Sequence, residues 1–330
     1  VTGQSGQSGQ TGQSGQSGQS GKSGVIVGAY AASPTLQGWD PQVEREYLDG
    51  IDAIEGVRGL ELPWIGELHR DPEWLLDALP PRFDLVLTDV PWAVRSVASD
   101  PEYGLASQSD RGRLLALDDA RRMRDDVARI ADAGGARVIA VELHSAPRAS
   151  EGDAARLAES LSELSAWDWS GADLVVEHCD ALVDGQAPQK GFLPLRDEIA
   201  AIAGTGVGLS INWGRSAIEL RDGDAVAGQI ALARESGALR GLILSGATDS
   251  PGSFGGAWDD SHAPFAQSPA FPWGIRESLL TIDRAREAIA AAGDIDWLGF
   301  KFGWMRGGPA EFRLDMIRTA TEIVRGTERS

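Results

Sequence analysis

Residues 137–178 read RVIAVELHSAPRASEGDAARLAESLSELSAWDWSGADLVVEH. Two short runs of continuous apolar character, 137–144 and 173–178, flank a longer amphipathic stretch at 152–166. A strand without polar alternation is one covered on both faces, as parallel strands are between layers of helix. The stretch therefore predicts a strand–helix–strand unit. The same rhythm repeats outward in both directions, with further strands expected at 25–32, 59–63, 85–90, 206–213, 240–245 and 297–302. Between them fall expected helices at 110–133, 195–203, 224–236, 281–292 and 309–325. Asp40-Pro41 and Asp71-Pro72 each place a capping carboxylate before a proline suited to the first helical position. Gly134-Gly135 closes the segment 110–133. Eight strand–helix units in series predict one closed parallel (β/α)8 barrel, a TIM barrel, over residues 25–330. An open doubly wound sheet is the alternative.

Composition narrows the function classes. The chain has 330 residues, 42% of them hydrophobic and 24% charged, and a net charge of −19. So acidic a chain repels polyanions, and no basic stripe offsets this, so no nucleic-acid partner is expected. No run approaches the roughly 20 apolar residues of a membrane span, so no membrane partner is expected either. Residues 1–24 form a Gly-Gln-Ser tract that cannot bury surface and is expected to be disordered. It lacks the apolar core of a signal peptide. Its end, Gly21-Lys22-Ser23, imitates a phosphate loop, but Gln16 stands where the first glycine belongs. With the single Cys179, which forms no intrachain disulfide, the expectation is a cytoplasmic enzyme.

In a barrel of this kind chemistry sits past the C-terminal ends of the strands, so polar residues there are the candidates. They are Glu61 and Trp64 after the second strand, and Glu142 and His144 at the fourth. Glu177 and His178 end the fifth, Asn212, Trp213 and Arg215 the sixth, and Lys301 the eighth. The long segment 246–280, rich in Gly and Pro, is expected to be a lid or a substrate-binding segment that delivers His262, with Asp259 and Asp260 nearby. Only three of the chain's basic residues are Lys, against 27 Arg, so an interior Lys301 invites a reason for an ammonium rather than a guanidinium. Eleven Trp, seven of them near strand ends, suggest flat faces for stacking sugar rings. Packing is the plainer explanation for any one of them.

The blocks GAYAASP (28–34), GLELPW (59–64), ELHSAP (142–147), VVEHCDA (175–181), INWGRSAIE (211–219) and LSGATD (244–249) resemble a bacterial family of unknown function grouped with the xylose-isomerase-like TIM barrels. That resemblance, over residues 25 to about 305, implies the barrel. Its wider clan contains sugar isomerases and epimerases that bind a divalent metal through carboxylates and a His. On that analogy Glu142, Glu177, His178 and His262 are the available ligands. The clan's last-strand acid is replaced by Lys301, a cation where the metal would sit, which argues against a metal.

The expected function is a sugar or sugar-acid isomerase or epimerase with a small-molecule carbohydrate as partner. Glu142 or Glu177 would remove a proton next to a carbonyl, and Lys301, His144 or His178 would stabilise or reprotonate the oxygen. Glu61, Asn212, Trp213, Arg215, His262 and Trp64 would bind the substrate. On this reading Glu177→Gln abolishes turnover and barely moves the melting temperature. Paired carboxylates also permit a glycoside-cleaving hydrolase or lyase, and a non-catalytic sugar-binding barrel is a third reading.

Overall fold

The computed structural model describes residues 23–304 and 312–328. Eight parallel strands close on themselves in sequence order: β1 (Val25–Val27), β2 (Val57–Pro63), β3 (Asp84–Thr88), β4 (Arg137–Leu143), β5 (Asp173–His178), β6 (Gly208–Asn212), β7 (Leu239–Leu244) and β8 (Trp297–Phe300). Pairing of β1 with β8, with Ile26 opposite Gly299, closes the ring and rules out the open sheet. All eight expected strands are present. The first is shorter than its apolar run, because the chain turns at Gly28 into a 3-10 turn, Ala29–Ala32.

The helices begin where capping chemistry places them. Asp40 accepts from the amides of Gln42 and Val43 at the start of α1 (Pro41–Asp52), and Asp71 accepts from Trp74 at α2 (Pro72–Ala78). The sequence reading missed α3 (Val90–Ser99), which starts straight off the end of β3. The next helix, α4 (Asp110–Ala133), has the expected bounds and stops at Gly134 in the left-handed conformation. Its buried stripe is Ala116, Leu117, Ala120, Met123, Val127 and Ile130, whereas Leu114 is 54% exposed. Then follow α5 (Ala154–Ser165), α6 (Leu195–Ile202), α7 (Trp213–Leu220), α8 (Val226–Glu235), α9 (Ile282–Ala292) and α10 (Arg313–Glu328). The short α7 was also unforeseen. Asn212 ends β6 and caps α7 by accepting from the amides of Gly214 and Arg215, so strand becomes helix without a loop. The tail up to residue 22 and the start of the expected helix 309–325 lie outside the described residues.

Inside the ring the side chains form two chemically different layers. The lower is apolar: Ile26, Val86, Ala140, Ile243 and Trp297. Trp297 lies across the barrel because Gly241 leaves room for it; a Cβ there would come within 2.1 Å of the indole. The upper layer, towards the strands' C-terminal ends, carries Glu61, Thr88, Glu142, Glu177, Ser210, Asn212 and Lys301, all fully buried. Alternation along each strand sends the neighbouring residues outward into the shell of helices.

Candidate active site

Register determines which groups meet. Glu142 on β4 is level with Thr88 on β3, and Glu177 on β5 is level with Ser210 on β6. Ser210 Oγ donates to Glu142 Oε1 at 2.7 Å, and Thr88 Oγ1 donates to Glu177 Oε2 at 3.1 Å. Asn212 Nδ2 reaches Glu177 Oε1 at 3.4 Å, and Arg215, from the first turn of α7, forms a direct ion pair with the same oxygen. Across the ring Lys301 Nζ donates to Glu61 Oε1 at 2.5 Å and lies 5.6 Å from the centre of the Tyr30 ring. Gly28 makes this crossing possible, since a Cβ there would meet Lys301 Cβ at 2.7 Å. Tyr30 Oη donates to Glu61 Oε1 at 3.4 Å.

The long segment after β7 does reach the mouth. Segment 246–280 is tied down by bridges of Gly246 with Ala263 and of Thr248 with Ser278. It brings Asp260 within 3.2 Å of Arg215 Nε and 2.5 Å of Lys190 Nζ. His262 Nδ1 sits 3.0 Å from Ser245 Oγ and 3.4 Å from Asp260. Both described lysines, Lys190 and Lys301, are therefore interior and paired with carboxylates.

The electrostatics separate the two central carboxylates. Burial pushes both up. For Glu177 the Arg215 guanidinium and the Lys301 ammonium more than reverse this and hold it at about 2. Among the described residues no cation touches Glu142; burial and the nearby charges of Glu177 and Glu61 raise it well above the carboxylate range. Burial would lower Lys301, but Glu61, Tyr30 and Glu177 hold it charged, well above an ordinary lysine. His262 is lowered by burial to about 3, despite Asp260, and is a neutral imidazole. Among the described residues four buried carboxylate oxygens have no hydrogen-bond partner: Glu61 Oε2 and Glu142 Oε2 in the mouth, Asp89 Oδ1 beside His144, and Asp180 Oδ1 near Lys190. In a close-packed interior such atoms mark an incomplete site.

Of the expected residues, Glu61, Glu142, Glu177, Asn212, Arg215, His262 and Lys301 converge on this mouth. The other four lie elsewhere. His144 is at the same end of the barrel, but its ring is wedged between Tyr103 and Phe192, and Nδ1 accepts from the Ala146 amide at 3.1 Å. Burial lowers it to about 3, so it is neutral. Trp64 points into the helix layer, where its indole donates to Asp126 on α4 at 2.8 Å. Trp213 is fully buried beneath Gly223. His178 follows Glu177 and so faces the opposite side of β5. Its Nδ1 is 2.7 Å from Glu198 on α6 and its Nε2 is 3.0 Å from Glu219 on α7. Tyr30, Thr88, Ser210 and Lys190 belong to the site and were not foreseen.

His178 has a measurable consequence. Burial lowers it, but Glu198 and Glu219 raise it to about 10 from an ordinary 6.5. A group held above its unfolded value contributes its full stabilisation below pH 6.5 and loses it as pH climbs towards 10. Chemical denaturation should show stability falling across that window, and His178→Asn should flatten the slope.

The donor set does not fit a divalent metal. Among the described residues no three His, Cys, Asp or Glu side chains are grouped to hold one. The four suggested ligands are dispersed: Glu177 is held by Arg215, His262 by Ser245 and Asp260, and His178 lies behind the sheet.

Comparisons with known proteins agree with this fold. The model of the family described as Domain of unknown function (DUF4862) matches residues 26–316. An uncharacterized protein of Salmonella typhimurium is 37% identical over 274 residues, covering 82% of this chain and 85% of its own. Among solved structures, IolI protein with a bound zinc atom aligns with a TM-score of 0.57 at 12% identity, over 92% of this chain and 99% of its own. A putative xylose isomerase from Rhodospirillum rubrum gives 0.56 at 15%, over 93% and 99%. A putative sugar phosphate isomerase/epimerase from Anabaena variabilis gives 0.50 at 12%, over 92% and 98%. At such identities the likeness is one of fold. This chain is a member of the DUF4862 family, built on a closed (β/α)8 TIM barrel similar in fold to these solved structures.

Proposed function

We propose that the chain is a sugar or sugar-acid isomerase or epimerase that moves a proton next to a carbonyl with protein cations in place of a metal. The supporting observation is the contrast between Glu142 and Glu177 in one mouth. Glu177 is ionised, tied to Arg215, and too weak a base for carbon acids. Among the described residues Glu142 has no cationic contact and one unpartnered oxygen, and burial raises its basicity.

In this reading ionised Glu142 takes the proton from the carbon beside the carbonyl. The C–H electron pair becomes the C=C of an enediolate, and the carbonyl π pair moves onto oxygen. The Lys301 ammonium, oriented by Glu61, stabilises that oxyanion. Tyr30, kept protonated by burial and by Glu61, donates to a neighbouring oxygen. Return of the proton from Glu142 to the adjacent carbon, while that carbon's hydroxyl proton passes to the former carbonyl oxygen, gives an isomer; an epimer forms when the enediolate turns its other face to Glu142, which returns the proton there. The carbohydrate hydroxyls complete the orphan oxygen of Glu61.

The zinc of IolI and the name of the Anabaena neighbour belong to those proteins. What they lend is a fold in which such chemistry is at home. No helix among the described residues is long and apolar enough to cross a membrane, and the buried Cys179 suits a reducing cytoplasm. The test is a product screen. Aldoses, ketoses and their acids are incubated with the protein and with Glu142→Gln, and isomers are resolved by chromatography. A new isomer formed by the wild type alone supports the reading; aglycone release from glycosides without any isomer contradicts it.

A further inference from the structure

A groove of about 300 Å3 lies beside the mouth, between the chain after β1 and the chain after β2. Tyr30 belongs to both: its ring lines the groove, and its hydroxyl touches Glu61, the partner of Lys301. Whatever occupies the groove therefore sits one side chain from the proposed reaction centre.

Its walls have a particular chemistry. Trp39 and His69 meet edge to face at 5.6 Å, and Trp74 backs both rings. The Trp39 indole N–H is buried without an acceptor. Leu36 and Ile65 line the groove at 60% and 45% exposure, among the most exposed large apolar side chains of the described residues. Thr35, Glu44, Glu67 and Arg70 supply the polar lining. The Arg70 guanidinium lies over the Trp39 ring, 5.6 Å from its centre, so two carboxylates face one occupied cation.

We infer that this groove is a second sugar subsite that takes an uncharged sugar residue. The substrate is then a disaccharide or glycoside whose outer ring lies on Trp39 and Tyr30 while its inner unit reacts at Glu142 and Lys301. Aromatic rings match the C–H faces of a pyranose, and carboxylates and hydroxyls match its O–H donors. Exposed apolar rim residues gather where a ligand covers them. Two carboxylates disfavour a phosphorylated or acidic ring. The volume holds one ring.

The inference rests on the carbohydrate reading of the mouth, but its test needs no turnover. Maltose, cellobiose and lactose, all reducing disaccharides, are titrated into the full chain by calorimetry, with glucose and glucose 6-phosphate as controls. At least one disaccharide should bind saturably and roughly tenfold tighter than glucose, with glucose 6-phosphate no better than glucose. Trp39→Ala and the surface variant Glu67→Ala should each weaken that disaccharide about fivefold or more. Glu67 is exposed, so its variant stays informative if Trp39→Ala folds poorly. The inference is overturned if no disaccharide binds, if glucose or its phosphate matches the best one, or if Glu67→Ala and a folded Trp39→Ala both bind it as the wild type does. Disaccharide binding without isomer formation would leave the groove standing and count against the proposed reaction alone.

Discussion

Glu142→Gln is expected to lower the turnover of any substrate by about three orders of magnitude while leaving the melting temperature within a few degrees of wild type. Burial favours the neutral form of this carboxyl, so a neutral amide of the same shape disturbs little. Ser210 Oγ can still donate to the amide oxygen as it does to Glu142 Oε1. What is lost is the only form able to accept a proton from carbon. Glu177→Gln should behave in the opposite sense. The sequence alone suggests that it is thermally silent, whereas the ion pair with Arg215 argues for a loss of stability. Removing the Glu177 charge leaves the guanidinium, itself only 2% exposed, with Asp260 as its remaining counter-charge, at a cost of up to about 3–5 kcal/mol. Paired thermal melts and rate measurements on the two variants check both halves.

Lys301→Met is expected to lose both stability and activity. It strands Glu61 in the barrel without its cation, again at about 3–5 kcal/mol, unless the carboxyl picks up a proton. It also removes the charge proposed to hold the enediolate oxygen, worth about 10²–10³ in rate. Double replacement by Lys301→Met and Glu61→Leu removes the stranded charge and should recover much of the melting temperature but none of the rate. Lys301→Arg keeps the charge yet should also be severely impaired. The backbone at Gly28 crowds the stem, and the fork of a guanidinium does not place its charge where the compact ammonium lies. Differential scanning calorimetry with activity assays separates these outcomes.

The barrel was legible because its signal is local and repeated. Continuous apolar runs such as those at 137–144 and 173–178 need cover on both faces, and eight of them in series leave one economical closure. The mouth was legible for residues whose strand continues through them, such as Glu142, Glu177 and Asn212. Errors came where alternation was not followed to its end. Glu177 and His178 are neighbours on one strand, so one of them had to face the helices; sequence proximity made both look like site residues. Trp64 and Trp213 stand past strand ends, where backbone direction is no longer set by the pleat, and both turned into packing positions. Thr88 and Ser210 carry no chemical flag of their own and become visible only through the carboxylates they hold. Lys190 and Asp260 meet from loops 70 residues apart, a contact that no local pattern encodes.

Solvent exchange bears on the whole scheme at once. The protein is dialysed against a chelator and incubated in deuterium oxide with each aldose, ketose, sugar acid and glycoside, and the recovered sugars are read by proton NMR. Deuterium should enter the position beside the carbonyl of at least one of them, at a rate unchanged by added divalent ions and abolished in Glu142→Gln. Exchange that appears only when a divalent ion is restored, or that persists in Glu142→Gln, would contradict a proton transfer run by Glu142 and Lys301.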